Sequence, residues 1–172
     1  MRSSIRATAR TRRSAPSGSA IPTCESVNLD PEPELIALRT ALEGNPPATL
    51  EAIRETERQI DFEFPPDLVE FFTLCDGGEG WWGEDYLRIF ALEDIRFHNT
   101  APYLQQYFSD IVVFGGDGGS DWHAFLRGQR WTIVQREPIA GPEYDRIRGR
   151  SLLEFIRDLK AHPRVPPTEP RR

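Results

Sequence analysis

The sequence predicts an α+β fold with helices at the N-terminus, a central antiparallel or mixed sheet of about 4–6 strands, and a C-terminal helix. Apolar residues recur at helical spacing between residues 34 and 75. Short β-branched and aromatic runs, separated by glycine-containing turns, fill residues 86–136. Because the helices come first and the strands then follow in series, we expect an antiparallel sheet covered on one side.

Three helices are predicted in the first half of the chain. Residues 34–42 place three leucines on one face, and Thr49 then begins a second helix. A third helix, residues 67–75, follows two prolines and is stopped by Asp76-Gly77-Gly78. The acidic side chains of the second helix should face water, namely Glu51, Glu55 and Glu57.

The second half of the chain is predicted to contain the sheet and the closing helix. Four runs are typical of strands, residues 86–90, 111–114, 122–126 and 131–136. Residues 92–97 and 103–108 have the pattern of short helical turns, and Ser151 caps the last helix. Two glycine clusters should form structural turns, namely Gly77, Gly78, Gly115, Gly116, Gly118 and Gly119.

Composition divides the chain into three segments. Residues 1–30 are expected to be a disordered basic tail, because residues 1–20 hold five arginines, no acid and no hydrophobic period. Alternative interpretations are a start codon placed too far upstream, a basic arm or an organelle transit peptide. Residues 31–162 should form a single domain, followed by a proline-rich tail over residues 163–172.

Charge and cysteine content bound the location and the partners. The net charge of −6 conceals an acidic middle, since residues 21–121 carry 21 acidic against 5 basic side chains. Such a surface attracts a basic protein partner and disfavours nucleic acid and membranes. Two cysteines, no membrane-length apolar run and no secretory signal favour a cytoplasmic protein.

Several motifs occur in one order along the chain. Residues 53–57 lead into Phe64-Pro65-Pro66-Asp67-Leu68, and Leu87-Arg88-Ile89-Phe90 follows the Asp-Gly-Gly turn. The hydrophobic run and glycine turn of residues 111–119 come next, then Ser151-Leu152-Leu153-Glu154-Phe155-Ile156. Together these motifs resemble the SUKH superfamily of Smi/Knr-type domains, over roughly residues 34–161.

The resemblance implies a function without catalysis. Many bacterial members of the superfamily are immunity proteins that bind and neutralise a toxin, and fungal relatives are regulatory interaction proteins. We therefore expect a non-enzymatic protein-binding module that uses no cofactor. An immunity protein is the first interpretation, and a cytosolic regulatory or scaffolding module without a toxin partner is the alternative. Two positions depart from the family pattern, since Asp76 replaces the usual Asn and Ser120 stands where Gly is frequent.

Other kinds of chemistry are disfavoured by the same residues. The glycine turn of residues 115–119 leads into a strand and holds Asp117, whereas a phosphate loop leads into a helix and avoids negative charge. Asp117, Asp121 and His123 lie close in sequence, as three candidate metal ligands often do by chance, so no metal is expected. Cys75 falls on an apolar helix face and should be an inert buried thiol.

The pair Trp81-Trp82 is the clearest candidate for a binding feature. Glycines flank the pair, so at least one ring should be exposed on a loop, although both could instead pack over a sheet edge. An aromatic side chain surrounded by acids is a good anchor for a basic partner. The expected partner-binding residues are therefore Asp76, Glu79, Trp81, Trp82, Glu84, Asp85, Asp117 and Asp121.

Overall fold

The computed structural model describes residues 30–163, so the predictions for the basic tail and for residues 164–172 lie outside it. The helices are α1 Pro33–Ala41, α2 Leu50–Ile60, α3 Pro66–Leu74, α4 Leu92–Thr100, α5 Pro102–Tyr107 and α6 Leu152–Ala161. The strands are β1 Glu43–Asn45, β2 Asp76–Trp82, β3 Asp85–Ile89, β4 Ile111–Gly116, β5 Trp122–Leu126, β6 Ile133–Arg136 and β7 Arg146–Gly149. None of the described helices is long and apolar enough to cross a membrane.

The strands form one antiparallel sheet in which every strand lies beside its neighbours in sequence, from β1 to β7. This confirms the predicted α+β class and its C-terminal helix. The sheet has seven strands within residues 30–163, slightly more than expected. The additional strands are the two short edges, β1 and β7, and β2, whose glycines do not form a hydrophobic pattern.

Helix starts follow the local signals in the sequence. Thr49 accepts a hydrogen bond at Oγ1 from the Ala52 amide, 3.2 Å away, and Ser151 accepts one at Oγ from the Glu154 amide, 3.1 Å away. Such caps satisfy amide groups that lack a partner within the helix. Pro66 is the first residue of α3, where the missing N–H of proline costs little. The predicted starts of these three helices are confirmed to within a residue.

The main core lies between one face of the sheet and helices α1, α2, α3, α4 and α6. At its centre the Phe114 ring lies 4.6 Å from Phe125 and 5.8 Å from Phe155, between ring centroids. Cys75 belongs to this core and is 3% exposed, as predicted for an inert thiol. Burial raises the pKa of the Cys75 thiol to about 11, which keeps it protonated at neutral pH.

The opposite face of the sheet is also covered over its centre, which corrects the expectation of helices on one side only. Leu104 of α5 packs there with the alternate residues of three strands, Ile111, Val113, Ala124 and Val134. Asn99 of α4 pairs with the edge of β4, because its side-chain amide donates to the Val113 carbonyl oxygen at 2.7 Å and its Oδ1 accepts from the Val113 amide at 2.9 Å. With the main core on one side and the Leu104 layer on the other, β4 is buried on both faces.

Two local predictions are wrong. Asp76-Gly77-Gly78 is the first part of β2 rather than a helix-stopping turn, and α3 ends at Leu74 with Cys75 in an extended conformation. Glu57 does not face water, since it is 8% exposed and its Oε1 accepts a hydrogen bond from the Phe64 amide at 2.8 Å. A buried amide needs an acceptor, and the loop after α2 obtains it from this glutamate.

Candidate binding surface

The β2–β3 hairpin sends alternate side chains to opposite faces of the sheet. Trp82, Leu87 and Ile89 point into the main core, whereas Trp81 and Tyr86 lie on the outer face. Trp81 is 66% exposed and Trp82 is 5% exposed. The structure therefore confirms that one ring of the tryptophan pair is exposed, although it lies on a strand and not on a loop.

Trp82 has a structural role. Its indole Nε1 donates a hydrogen bond to the Ile156 carbonyl oxygen in α6 at 2.8 Å. The Lys160 ammonium lies 3.7 Å from its ring centroid, a favourable cation–π geometry. These contacts attach the last helix to the hairpin, so Trp82 does not contribute to an exposed surface.

Trp81 belongs to a group of outward side chains on β2 and β3. Its ring meets that of Tyr86 edge to face, with 5.5 Å between centroids. Glu79, two residues before Trp81, faces Arg88 across the strands with 3.6 Å between Oε2 and Nε. Desolvation, followed by the charge of Glu79 and a hydrogen bond to it, raises the pKa of Tyr86. The phenol of Tyr86 therefore stays neutral at neutral pH.

An open acidic groove lies next to this group. It has a volume of about 200 Å³, and its walls include Glu43 of β1, Glu79 of β2 and Asp94 of α4. Glu43 and Glu79 are directly opposite in the antiparallel register, where like charges destabilise a sheet. Arg88 is the one basic side chain that lines the groove. The arrangement suits a cationic group from outside the domain, which would relieve this repulsion.

Asp76 supports the fold from the inner end of β2. Its half-buried carboxylate accepts, at Oδ1, a hydrogen bond from the Leu92 amide at the start of α4, with a distance of 2.9 Å. Burial raises the pKa of Asp76; the bond from Leu92 opposes that rise, and the nearby Asp94 and Glu93 add to it. Asp76 therefore caps the start of α4, although burial of its carboxylate is unfavourable. Its role is in the fold and not in contact with a partner.

Asp117 and Asp121 hold the turn between β4 and β5. Asp117 accepts, at Oδ1, hydrogen bonds from the amides of Gly119 at 2.8 Å and Asp121 at 3.1 Å. Asp121 is 8% exposed, and its Oδ2 accepts from the Gln135 side chain at 2.6 Å. Asp121 and Trp82 are both buried, so neither is part of an exposed surface. Within the described residues, no group of three His, Cys, Asp or Glu side chains is arranged to hold a metal ion.

The predicted turn glycines have several different roles. Gly77 and Gly118 do take left-handed φ values, +72° and +74°. Gly78 pairs within β2, and Gly119 lies in the β4–β5 turn beside the Asp117 carboxylate. Gly115 and Gly116 are strand residues, which corrects their assignment to the turn. Their small size permits close approach, since a Cβ on Gly115 would lie 2.2 Å from the Arg88 carbonyl oxygen.

The remaining predicted acids lie at the tip of the hairpin. Glu84 is exposed, whereas Asp85 is half-buried and lines a cavity of about 10 Å³, the size of one water molecule. Arg148 lines the same cavity, donating to Gln135 Oε1 from Nη2 at 2.6 Å and to Asp158 Oδ2 from Nη1 at 2.8 Å. This network connects β6, β7 and α6 beneath the hairpin, so the exposed tip has a rigid base.

Two groove residues were not predicted from the sequence. Glu43 lies on a three-residue edge strand without a recognisable pattern, and Asp94 lies on α4, for which only a short helical turn was predicted. The strand register brings Glu43 opposite Glu79, although 36 residues separate them in sequence. Only the order of strands in the sheet could have placed them together.

The fold and this surface define a small α+β domain suited to contact with another protein. The family model described as SMI1 / KNR4 family (SUKH-1) matches residues 47–158, and the chain belongs to this family. Domains of this family are protein-interaction modules. The match begins just before α2, so α1 and β1, which supplies Glu43, precede it. A search of curated proteins found no match.

Proposed function

We propose that this protein is an immunity protein of the cytoplasm that neutralises a bacterial toxin by binding it through the outer face of β1, β2 and β3. The observation that carries the proposal is Trp81, a tryptophan that is 66% exposed beside an acidic groove. Tryptophan is among the side chains that dominate binding energy when a partner buries them. Membership of a family of protein-interaction modules supports the same assignment.

The proposed mechanism combines an aromatic anchor with a cation-accepting groove. Trp81 packs against an apolar part of the partner, while Glu43, Glu79 and Asp94 receive an arginine or lysine side chain. Glu84, exposed at the hairpin tip, extends the acidic rim. Asp85 and Asp117, both half-buried, add negative charge near the hairpin tip. A toxin surface built to hold an anionic substrate would be blocked by this face.

Long-range charge supports rapid association with a basic partner. Residues 30–163 contain 25 acidic and 13 basic side chains, a net charge of −12 with histidine neutral. An excess of this size steers a cationic protein during diffusion and raises the association rate at low ionic strength. Added salt should therefore slow association more than it speeds dissociation.

A regulatory or scaffolding module remains the alternative within the same family. It would use the same face, and the identity of the bound protein separates the two functions. A toxin or nuclease domain among the specific partners favours immunity, and a signalling or cell-envelope protein favours regulation.

The test is affinity capture from native lysate with three full-length baits: the wild type, the charge-reversed Glu79→Lys/Glu84→Lys variant, and the control Glu51→Lys. Glu51 is an exposed acid on α2, away from the hairpin in sequence, so its reversal changes charge without touching the face. We expect a basic protein to bind the wild type and the control, to be released at high salt, and to be lost from the double variant. Equal recovery on all three baits would exclude this face.

A further inference from the structure

Arg88 of β3 places a positive charge inside the acidic groove of the proposed binding face. Its Nε lies 3.6 Å from Glu79 Oε2, and its Cζ lies 5.2 Å from the centroid of the Phe90 ring. The first contact is an ion pair and the second is a cation–π contact. The side chains of Arg88 and Glu79 are 49% and 50% exposed. Arg88 is therefore held at the groove wall by two partners, in a position that another molecule can reach.

The strand register explains why Arg88 balances only part of the negative charge. Glu43, Glu79 and Arg88 lie directly opposite one another on three successive strands. Neighbouring strands are about 4.8 Å apart, so Arg88 is two strand spacings from Glu43. Among residues 30–163, neither Glu43 nor Asp94 forms an ion pair. Three carboxylates of the groove thus face one guanidinium, which leaves a formal charge of −2.

A cation from a partner would compete with Arg88 for the same carboxylate. Glu79 is the central acid of the cross-strand row, and the Arg88 guanidinium already occupies one side of it. An arginine or lysine side chain that reaches Glu79 is repelled by Arg88 at short distance. Arg88 can give up Glu79 and keep its contact with the Phe90 ring, so displacement does not require full solvation of its guanidinium.

We propose that Arg88 is an internal competitor that limits how tightly the acidic groove binds a cationic side chain of the partner. This inference rests on the proposed function, because it concerns the same face, and extends it by naming the residue that sets the affinity. Its consequence is that loss of the positive charge of Arg88 strengthens binding. An arginine that contacts an acidic group of the partner would have the opposite effect when replaced.

The expected gain is modest because the ion pair of Arg88 is half exposed. Exposed ion pairs contribute little free energy, and most of them fall short of the value that changes an affinity tenfold. We therefore expect Arg88→Gln to raise the affinity of the groove for a cationic ligand about two- to fivefold at physiological salt.

Arg146 of β7 provides a matched control. It is an exposed strand residue of the same sheet, and it forms no ion pair with the part of the chain that the structure describes. Four strand spacings separate β7 from β3, roughly 19 Å along the sheet, whereas the Debye length at physiological salt is about 8 Å. Arg146→Gln removes the same charge and should leave the affinity nearly unchanged.

The test is a titration of the full-length protein with a blocked tetra-arginine peptide at physiological salt. Binding is followed by NMR at the indole N–H of Trp81, which is exposed beside the groove, and Trp81→Phe assigns the signal. We expect the peptide to shift this signal in the wild type, to bind Arg88→Gln about two- to fivefold more tightly, and to bind Arg146→Gln with the affinity of the wild type.

Arg88→Lys separates the charge of this side chain from its shape. Lysine keeps the positive charge and can also contact the Phe90 ring, so this variant should bind the peptide as the wild type does. An equal gain for Arg88→Lys and Arg88→Gln would overturn the inference, because size and not charge would then limit binding. An equal gain for Arg88→Gln and Arg146→Gln would overturn it as well, since only the total charge would matter.

The same titration separates failure of this inference from failure of the proposed function. Unchanged or weaker binding of Arg88→Gln, with a Trp81 signal that still shifts, would overturn the competitor role of Arg88 and leave the binding face in place. A Trp81 signal that does not shift in the wild type or in any Arg88 variant would contradict both, because the groove would then not accept a cation.

Discussion

Asp76 illustrates, at the scale of single residues, how a side chain that the sequence places on the surface can serve the fold instead. Its position after an apolar helix and before two glycines suggested an exposed turn acid. In the structure its carboxylate is half-buried and receives the first amide of α4. Neither the burial nor the partner is visible from local sequence, because the amide comes from Leu92, 16 residues away.

The first prediction is that Asp76→Asn stabilises the protein at neutral pH. Burial raises the pKa of Asp76 above the ordinary value of 3.8, so the folded state binds a proton at Asp76 more readily than the unfolded chain does. Stability is therefore lost as the pH rises from 3.8 through the higher pKa that Asp76 has in the folded state. Asparagine keeps the Oδ1 acceptor without the charge. We expect a gain of at most about 1 kcal/mol, since the carboxylate is partly solvated.

Thermal unfolding at pH 7 and at pH values below the ordinary carboxyl value of 3.8 checks this prediction. The advantage of Asp76→Asn should disappear in acid, where Asp76 is neutral in both states. A loss of stability at pH 7 would mean that attraction between the carboxylate and the N-terminus of α4 exceeds the cost of burial.

The second prediction concerns Gly115, where size and not φ requires glycine. A Cβ at this position would lie 2.2 Å from the backbone oxygen of Arg88, and backbone cannot move aside as a side chain can. We expect Gly115→Ala to lower the free energy of unfolding by about 3 kcal/mol.

Gly128→Ala is the matched control, because a Cβ there meets nothing within 4 Å and only its left-handed φ of +79° opposes alanine. It should cost about 1 kcal/mol. Chemical denaturation of both variants measures the difference. Equal costs would show that the β3–β4 contact adapts to a larger residue.

At the scale of elements, the sequence predicts those whose signals are local. Thr49 and Ser151 cap helices by hydrogen bonds within three residues, so the starts of α2 and α6 were predictable. Strand β2 was missed because Asp-Gly-Gly after a helix has the same composition as a helix stop. The edges β1 and β7 are too short to show an alternation, and their pairing depends on neighbours distant in sequence.

The third prediction concerns Arg136 of β6, which joins separate segments. Its side chain is 2% exposed and donates to Asp110 before β4 and to Asp145 before β7. Hydrogen bonds to Asp145 and Asp110 raise the pKa of Arg136 despite its burial, so the guanidinium stays charged. Arg136→Met would leave Asp145 without this partner, and we expect a loss of about 3 kcal/mol.

The pH dependence and a control sharpen this test. The hydrogen bond from Arg136 holds the pKa of Asp110 below its usual value of 3.8. The pair of Asp110 and Arg136 therefore stabilises the fold fully above pH 3.8, and this stabilisation is lost as the pH falls through the lower pKa that Asp110 has in the folded state. The difference between wild type and Arg136→Met should therefore shrink in acid. Arg157→Met breaks an exposed pair with Glu34 and should cost less than about 1 kcal/mol. Similar losses for both variants would contradict the structural role of Arg136.

At the scale of the whole molecule, three of the eight expected partner-binding residues are exposed together. Glu79, Trp81 and Glu84 follow one another along the hairpin, so their proximity could be predicted from sequence. The choice between Trp81 and Trp82 required the strand assignment, because alternation alone decides which ring faces the core. Glu43 and Asp94 complete the groove only through the order of strands and the packing of α4.

The outer face of β1, β2 and β3 gives binding its dependence on salt. This face is acidic and should bind a cationic partner more slowly as salt increases.

The most direct test of the binding claim is the association rate of the captured partner, measured by surface-immobilised kinetics over a range of ionic strength. We predict a rate that falls steeply with salt for the wild type, a lower rate with a flatter dependence for Glu79→Lys/Glu84→Lys, and faster dissociation for Trp81→Ala. The same rates and the same salt dependence in all three proteins would contradict the account and would place the binding surface elsewhere on the domain.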